Sequence, residues 1–198
     1  MTENRVTIAD VQNWYQRADG IVESSALRSL LGSLIDRNYK AVIELNSYLD
    51  SLIFTEAILE KTNRHISIVA GPGCGDFLKA IYSAFESAVQ RLKEHQGCIR
   101  VLVLSEQIPA FLTRLDAIYS GTLEIVSARL RAHQEIEHFL VSDSKMGRKE
   151  EPHERFTPDT TVNAVRAEGF LNDPARAQLL EARFEAYWKV ASTKLAEA

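Results

Sequence analysis

The residues best suited to chemistry lie in one stretch of the sequence, IEHFLVSDSKMGRKEEPH, residues 136–153. His138 and His153 are candidate catalytic groups, because an imidazole can act as a nucleophile or as an acid–base group near neutral pH. Basic residues cluster around the same stretch and would form an anion-binding surface if they shared a face. They are Arg129, Arg131, Lys145, Arg148 and Lys149.

An alternative interpretation of the same charges is a solvated hairpin with alternating charge. The basic residues are interleaved with acidic ones, namely Glu135, Glu137, Glu150 and Glu151. In that case His138 is an ordinary strand histidine, since a neutral imidazole can be buried with a single hydrogen bond. Both interpretations stay open, and the alternating hairpin is favoured.

Other reactive residues give weaker signals. His133 and His138 are too few for a metal site, which usually needs three or four ligands, so no metal and no cofactor are predicted. Cys74 and Cys98 form no disulfide framework, which is typical of a reducing compartment. The segment GPGCGD, residues 71–76, matches neither a P-loop nor a dinucleotide motif and predicts a tight strand-to-helix turn.

The elements before about Asn63 are predicted to be helical throughout. A short helix would contain Val11, Trp14 and Tyr15 and end near Gly20. Two further apolar stripes have helical spacing, with a break between them at residues 36–38. The first comprises Leu27, Leu30, Leu31, Leu34 and Ile35, and the second comprises Val42, Leu45, Leu49, Leu52 and Ile53.

From His65 onward, strands and helices alternate. Strands are predicted at 66–70, 99–104 and 122–127, with helices at 77–92 and from Pro109 to Gly121, and Asp76 is placed to cap the first of these helices. This order is typical of an α/β sheet with parallel crossovers. Two extended segments then follow at 136–142 and 145–150, separated only by Asp143-Ser144, which indicates a β-hairpin.

The final part of the chain contains a long loop candidate at 150–161 and a looser strand candidate at 162–167. Asp173 as N-cap and Pro174 at the first helical position predict the start of a closing helix. The buried face of that helix is expected to contain Leu180, Phe184, Tyr187, Trp188 and Ala191.

Composition limits the class of protein. The chain has 198 residues, of which 45% are hydrophobic and 25% charged, and its formal net charge is -4. That balance gives no support to a protein that coats nucleic acid by charge alone, although a local basic face is compatible with it. No run of about 20 apolar residues predicts a membrane span, and the N-terminus does not resemble a secretion signal. The expected location is cytoplasmic.

Three segments together resemble one half-domain of the phospholipase D superfamily, over roughly the last two-thirds of the chain. The first is ISIVA (66–70) with its helix and the strand IRVLVL (99–104). The second is IEHFLVSD (136–143), in the place of the family's signature strand, H-x-K followed after four residues by D. The third is FLNDPARAQLLEARFEAYW (170–188), similar to the family's closing Asn-Asp-Pro turn and aromatic-ended helix.

The signature residues themselves are replaced. If Asp143 stands for the motif aspartate, Ile136 takes the place of the nucleophilic histidine and His138 that of the lysine. If His138 stands for the histidine, Leu140 replaces the lysine and Lys145 the aspartate. Neither register keeps a histidine to accept a phosphoryl group together with a lysine to hold its charge.

The resemblance therefore implies an α/β fold with a degenerate motif. We expect a helical N-terminal region, 1–63, followed by a phospholipase D-like domain, 64–198, with a mixed β-sheet flanked by helices. We also expect a homodimer, since family half-domains often build one site across a two-fold axis. The implied function is non-catalytic binding or regulation, with nucleic acid or another phosphate-bearing ligand held near His138, Asp143, Lys145, Arg148 and His153.

Two alternatives remain at this stage. One is a phosphodiesterase or nuclease with a rearranged site, in which His138 or His153 reacts and Arg148 binds the anion. The other is a scaffold whose N-terminal helices recruit a protein partner.

Overall fold

A computed structural model describes residues 5–7, 24–71, 74–105, 107–128, 136–151 and 167–196. Several sequence predictions fall outside these residues. They concern the short helix around Trp14, the histidines His133 and His153, the basic residues Arg129 and Arg131, and most of the strand candidate at 162–167.

The strands of the described residues form one mixed sheet in the order β1-β2-β8-β7-β6-β3-β4-β5. Strands β3, β4 and β5 are mutually parallel, as are β1 and β2, whereas the neighbours from β2 through β8, β7 and β6 to β3 are antiparallel. The predicted parallel crossovers and the predicted hairpin are both confirmed. The strands are β1 (Arg5–Thr7), β2 (Ala41–Leu45), β3 (His65–Ala70), β4 (Cys98–Val103), β5 (Leu123–Ser127), β6 (His138–Ser142), β7 (Met146–Glu150) and β8 (Ala167–Leu171).

Helices cover both faces of the sheet. The helices are α1 (Ser24–Asp36), α2 (Tyr48–Lys61), α3 (Cys74–Ala80), α4 (Tyr82–Glu94), α5 (Ala110–Ile118) and α6 (Pro174–Ala196). One apolar core lies between the sheet and α1–α5, and a second lies beneath α6. The predicted mixed sheet flanked by helices is therefore confirmed. Among the described residues no helix is both long and apolar enough to cross a bilayer.

The prediction that the chain is helical up to Asn63 is wrong at β1 and β2. Val42 and Leu45, which the helical spacing assigned to a helix, lie in β2, and β2 pairs with β8 along its whole length. This strand is almost completely buried on both faces, so its sequence AVIEL lacks the alternation that marks a half-exposed strand. The division of the chain into regions 1–63 and 64–198 stays a prediction.

Helix boundaries agree with several local signals. Leu27, Leu31 and Ile35 form the buried face of α1 as predicted. Asp173 is buried immediately before α6, and its Oδ1 accepts a hydrogen bond from the backbone N–H of Arg176 at 3.4 Å, as expected of an N-cap. Asp76 was predicted as a cap but lies inside the first turn of α3, and α3 and α4 replace the single helix predicted at 77–92.

The β6–β7 turn sets which residues face each other across the hairpin. Asp143 and Ser144 have φ angles of 49° and 54°, and the N–H of Lys145 donates to the carbonyl of Ser142 at 3.1 Å. The ladder resumes at Met146, one residue later than predicted. As a result Leu140 lies opposite Arg148, and His138 lies opposite Glu150.

Asp143 fastens this turn to the start of β3. Its carboxylate accepts backbone N–H groups from Asn63, Arg64 and His65 at 2.8, 2.9 and 3.0 Å. A single side chain thereby satisfies three donors that precede or begin a strand, and it holds the hairpin in place beside β3.

Replacing this carboxylate should destabilise the whole sheet. We expect Asp143→Ala to lower the free energy of unfolding by about 1.5–3 kcal/mol, because charge-assisted bonds to partly exposed backbone donors are lost. Urea denaturation measures the change. Asp36→Ala is a matched control, since it removes an exposed carboxylate paired with Lys61 and should cost less than about 1 kcal/mol. Equal losses in the two variants would contradict the anchoring role.

Candidate functional site

A group of polar and aromatic side chains lies at the end of the sheet where β3 ends and β6 begins. We refer to it as the Arg148 cluster. Its members come from α2, α3, β6, β7 and the residue after β3, and they are Tyr48, Phe77, His138, Arg148, Glu150 and Gly71. The carboxyl ends of the parallel strands β3–β5 lie at this same end, which is where ligands bind in open α/β sheets.

Strand geometry brings the three polar strand residues to one face. Leu140 of β6 belongs to the core under α1–α5, so His138, two residues earlier in the same strand, points to that face as well. Arg148 is the cross-strand partner of Leu140, and Glu150 is the partner of His138. Directly opposed residues share a face of the sheet, so Arg148 and Glu150 lie beside His138.

Arg148 is a buried cation with incomplete hydrogen bonding. Its residue is 6% exposed, its Nη2 lies 3.2 Å from Oε2 of Glu150, and its Cζ lies 4.5 Å from the centroid of the Phe77 ring. Within the described residues, buried Nε and Nη1 have no hydrogen-bond partner. Leaving a buried donor without a partner costs about 1–3 kcal/mol, so an acceptor placed there would be bound favourably.

His138 occupies space that Gly71 leaves free. A Cβ at position 71 would lie 2.1 Å from Cε1 and 2.2 Å from Nε2 of His138, far closer than atoms can approach. The glycine follows β3 directly, so the buried imidazole lies against the backbone at the end of that strand. Glycine is needed here because it has no side chain that would overlap the imidazole.

Two aromatic rings close the cluster on the helical side. Tyr48 begins α2, Phe77 lies in α3, and their centroids are 5.7 Å apart at an interplanar angle of 86°. Burial raises the pKa of the Tyr48 phenol, and the carboxylates of Asp76 and Glu150 raise it further, whereas Arg148 acts in the opposite direction. Tyr48 is therefore a neutral hydroxyl at physiological pH.

The other predicted ligand-binding residues lie elsewhere. Asp143 and Lys145 occupy the turn at the far end of β6, about 16 Å from His138 at roughly 3.3 Å per residue. The five predicted site residues thus do not form one site, because the extended strand separates the turn from His138 and Arg148. His153 lies outside the described residues.

The basic residues of the hairpin do not share a face. Lys149 points to the α6 side, opposite to Arg148, and its Nζ lies 3.6 Å from Glu137. For Lys149 the alternating, ion-paired hairpin is therefore the correct interpretation. Arg148 fits neither the shared basic surface nor the solvated hairpin, since its side chain is buried.

The two positions that the resemblance assigns to the motif histidine and lysine are on opposite sides of the sheet. Ile136 is buried in the core beneath α6, whereas His138 points to the side of α1–α5. The chain bends between Ile136 and the start of β6, so strand alternation does not place these side chains together.

A separate cleft of about 550 Å³ opens near the same end of the sheet and carries mainly negative charge. It is lined by Glu44, Leu45, Asn46, Glu137, Lys149, Glu151, Ala167 and Glu168. Glu168 pairs with Arg176 at 2.6 Å, and Glu137 pairs with Arg183 at 2.5 Å. The four carboxylates outnumber Lys149 and the two arginines that pair with them, so this cleft is a poorer phosphate site than the Arg148 cluster.

Neither the Cys98 thiol nor a metal site is supported as a reactive group among the described residues. Burial raises the pKa of the Cys98 thiol, against the opposing effect of Arg100, so little thiolate forms at neutral pH. Within the described part of the chain, no three His, Cys, Asp or Glu side chains are placed to hold a metal ion.

Sequence reasoning did not single out Gly71, Tyr48, Phe77 or Glu150 as members of a site. Glu150 could have been found from the hairpin, but only with the correct register. Gly71 was noted as part of a turn, and its contact with His138 joins segments that are distant in sequence. Tyr48 and Phe77 lie in or beside apolar helical patterns and give no separate signal.

Comparison with known proteins establishes the fold. By sequence, no protein-family model matches the chain, and no curated protein matches it. By structure, the chain is similar to TrmBL2, an archaeal chromatin protein with a novel mode of DNA binding, with a TM-score of 0.56 and 17% identity over 92% of this chain and 67% of that one.

Two further solved structures are similar. Nuc from Salmonella typhimurium, a phospholipase D family member, gives a TM-score of 0.50 and 13% identity over 75% of this chain and 92% of Nuc. NucT from Helicobacter pylori gives 0.50 and 10% over 72% and 87%. The predicted phospholipase D-like fold is confirmed, whereas the degeneracy of the motif stays a prediction.

The contact between Gly71 and His138 can be tested by a double-mutant cycle. Gly71→Ala should lower the free energy of unfolding by about 1–3 kcal/mol, because the added methyl group overlaps the imidazole. In a His138→Ala background the same substitution should cost much less. Urea denaturation of the four proteins gives the coupling, and an equal cost in both backgrounds would contradict the described contact.

The raised pKa of Tyr48 predicts a loss of stability in alkali. The unfolded chain releases the phenolic proton near the ordinary pKa of 10.0, and the folded chain releases it only at higher pH. Stability from this group is therefore complete below pH 10 and is lost as the pH rises through the folded-state pKa. Between about pH 9 and about pH 11 the unfolding free energy of Tyr48→Phe should fall less than that of the wild type. Equal falls would refute the prediction.

Proposed function

We propose that this protein is a non-catalytic, phospholipase D-like binding or regulatory protein that holds a phosphate group of a nucleic acid or of another ligand at the Arg148 cluster. Arg148 supplies the donors, and His138 and Tyr48 border the group that they hold. The bound group reaches the cluster past the half-buried rings of Tyr48 and Phe77.

The observation that carries this proposal is the incomplete hydrogen bonding of Arg148. A guanidinium carries five N–H donors, and Nε and Nη1 account for three of them. These nitrogens are buried and have no partner within the described residues, whereas Glu150 contacts only Nη2. Charge-assisted hydrogen bonds from arginine to phosphate oxygens would satisfy the donors, and such bonds are stronger than bonds between neutral groups.

The absence of catalysis is supported by what occupies the motif positions. Isoleucine has no group that could accept a phosphoryl group, and Ile136 is packed among apolar side chains beneath α6. The Asp143 carboxylate is engaged by three backbone donors at the far end of the hairpin. Neither residue is placed to act on a ligand beside Arg148.

The structural neighbours are compatible with nucleic acid as the source of the phosphate. TrmBL2 binds DNA, and Nuc is a member of the phospholipase D family. At identities of 17% and 13% these likenesses concern the fold, so the proposal depends on the residues of the cluster.

A second candidate is a phosphodiesterase with a rearranged site. The observation that favours it is the shared face of His138 and Arg148, which puts an imidazole next to an anion-binding group. A homodimer is a proposal that follows from the resemblance alone. A protein partner bound by the N-terminal helices is a proposal that rests on the predicted helical region before Asn63.

Binding should depend on the donor geometry of Arg148 as well as on its charge. Arg148→Lys keeps the charge but removes the guanidinium donors, and we expect it to weaken binding of a fluorescent oligonucleotide by about tenfold or more. Fluorescence anisotropy at low salt measures the affinity, which should also fall as salt is added. Arg183→Lys is the matched control, because the Arg183 side chain is exposed on α6 and its replacement should leave the affinity unchanged.

The same preparations separate binding from hydrolysis. The non-catalytic proposal predicts that a chromogenic phosphodiester is cleaved no faster with the wild type than with His138→Gln. Turnover by the wild type that His138→Gln abolishes would favour the second candidate. Unchanged oligonucleotide affinity in folded Arg148→Lys would rule out the Arg148 cluster as the binding site.

A further inference from the structure

We infer that Glu150 acts as a charge filter, so that the Arg148 cluster accepts singly charged anionic groups and excludes doubly charged ones. The inference rests on the proposed function and specifies which phosphate groups that site can hold. A phosphodiester carries one negative charge at neutral pH, whereas a phosphomonoester carries nearly two, since its second pKa is about 6.

The first step of the argument is that Arg148 is already largely neutralised. Arg148 and Glu150 lie two residues apart on β7 and therefore on the same face, with Nη2 and Oε2 at 3.2 Å. Both residues are 6% exposed, so water screens neither charge well. An incoming anion thus meets a buried ion pair in place of an isolated cation.

The second step concerns the surrounding charges. The described ionisable groups whose charges act together at Tyr48 are Asp76, Arg148 and Glu150, which is one cation against two carboxylates. His138 faces Glu150 across the strands. Among the described side chains, the cluster therefore offers several hydrogen-bond donors, while the charge of Glu150 balances that of Arg148. Hydrogen bonding favours an oxygen-rich group, while the charge balance opposes additional negative charge.

The size of the effect follows from Coulomb's law. An anion bound to Nε or Nη1 lies on the order of 7–8 Å from the Glu150 carboxylate, because Nη2 is 3.2 Å from that carboxylate and a hydrogen bond adds about 3 Å. With an effective dielectric constant near 20, Glu150 and Asp76 offset most of the attraction between Arg148 and a second negative charge. The larger cost of taking a dianion out of water then lowers its affinity on the order of tenfold. Hydrogen bonding is nearly the same for the two classes of phosphate, so charge decides between them.

Two small phosphates that differ by one charge provide the test. Dimethyl phosphate and methyl phosphate compete with the fluorescent oligonucleotide for the wild-type protein at about pH 8, where the monoester is a dianion. We expect dimethyl phosphate to compete at least tenfold better. Equal or better competition by methyl phosphate would overturn the charge filter and leave phosphate binding at Arg148 intact.

A substitution at Glu150 then assigns the effect to this carboxylate. Glu150→Gln keeps the shape of the side chain and removes its charge, so the preference for dimethyl phosphate should shrink by about tenfold or reverse. Glu168→Gln is the matched control: Glu168 is on the adjacent strand, pairs with Arg176 and should leave the preference unchanged. An unchanged preference in folded Glu150→Gln would also overturn the inference.

The outcomes separate this inference from the proposed function. If neither small phosphate competes and Arg148→Lys binds the oligonucleotide like the wild type, phosphate binding at the cluster fails and the filter fails with it. Circular dichroism checks that each variant is folded. If Glu150→Gln does not fold, the wild-type preference between the two phosphates still decides the question.

Discussion

The arrangement of polar groups in this protein depends on the register in which β6 pairs with β7. Side chains alternate between the faces of a sheet, so the ladder that puts His138 opposite Glu150 also brings Arg148 to the same face. A shift of one residue would instead place Lys149 opposite His138. The register is held from the far end, where Asp143 binds the backbone at the start of β3, and from the side, where β3 pairs with β6.

The fold supplies the frame for this cluster but not its chemistry. A phospholipase D-like sheet brings β3, β6 and β7 together at one end, with α2 and α3 above them. What can be bound there is decided by individual residues: a buried arginine with spare donors, an adjacent glutamate and an imidazole over a glycine. Proteins that share the frame and differ in these residues would be expected to bind different groups.

The sequence was sufficient for those features that depend on local patterns. Strands β3, β4 and β5, the hairpin and the start of α6 all carry turn or capping residues beside clear apolar runs. It was insufficient for β2, where burial on both faces removes the alternation of apolar and polar residues that marks a strand. It was also insufficient at Lys145, because one extra residue in the turn changes which side chains face each other. The two-residue turn predicted at Asp143-Ser144 would have put Arg148 on the wrong face. His138 and Arg148 lie on one face of the sheet, whereas Asp143 and Lys145 lie in the turn at the far end of the same hairpin.

The space shared by Gly71 and His138 also has a consequence for how such a chain can change over time. Any side chain at position 71 overlaps an imidazole at position 138, although the two residues are distant in sequence. Neither position can therefore be altered freely while the other is retained. Among related chains with this architecture, a residue larger than glycine at 71 should coincide with a small residue at 138, and the pair should vary together.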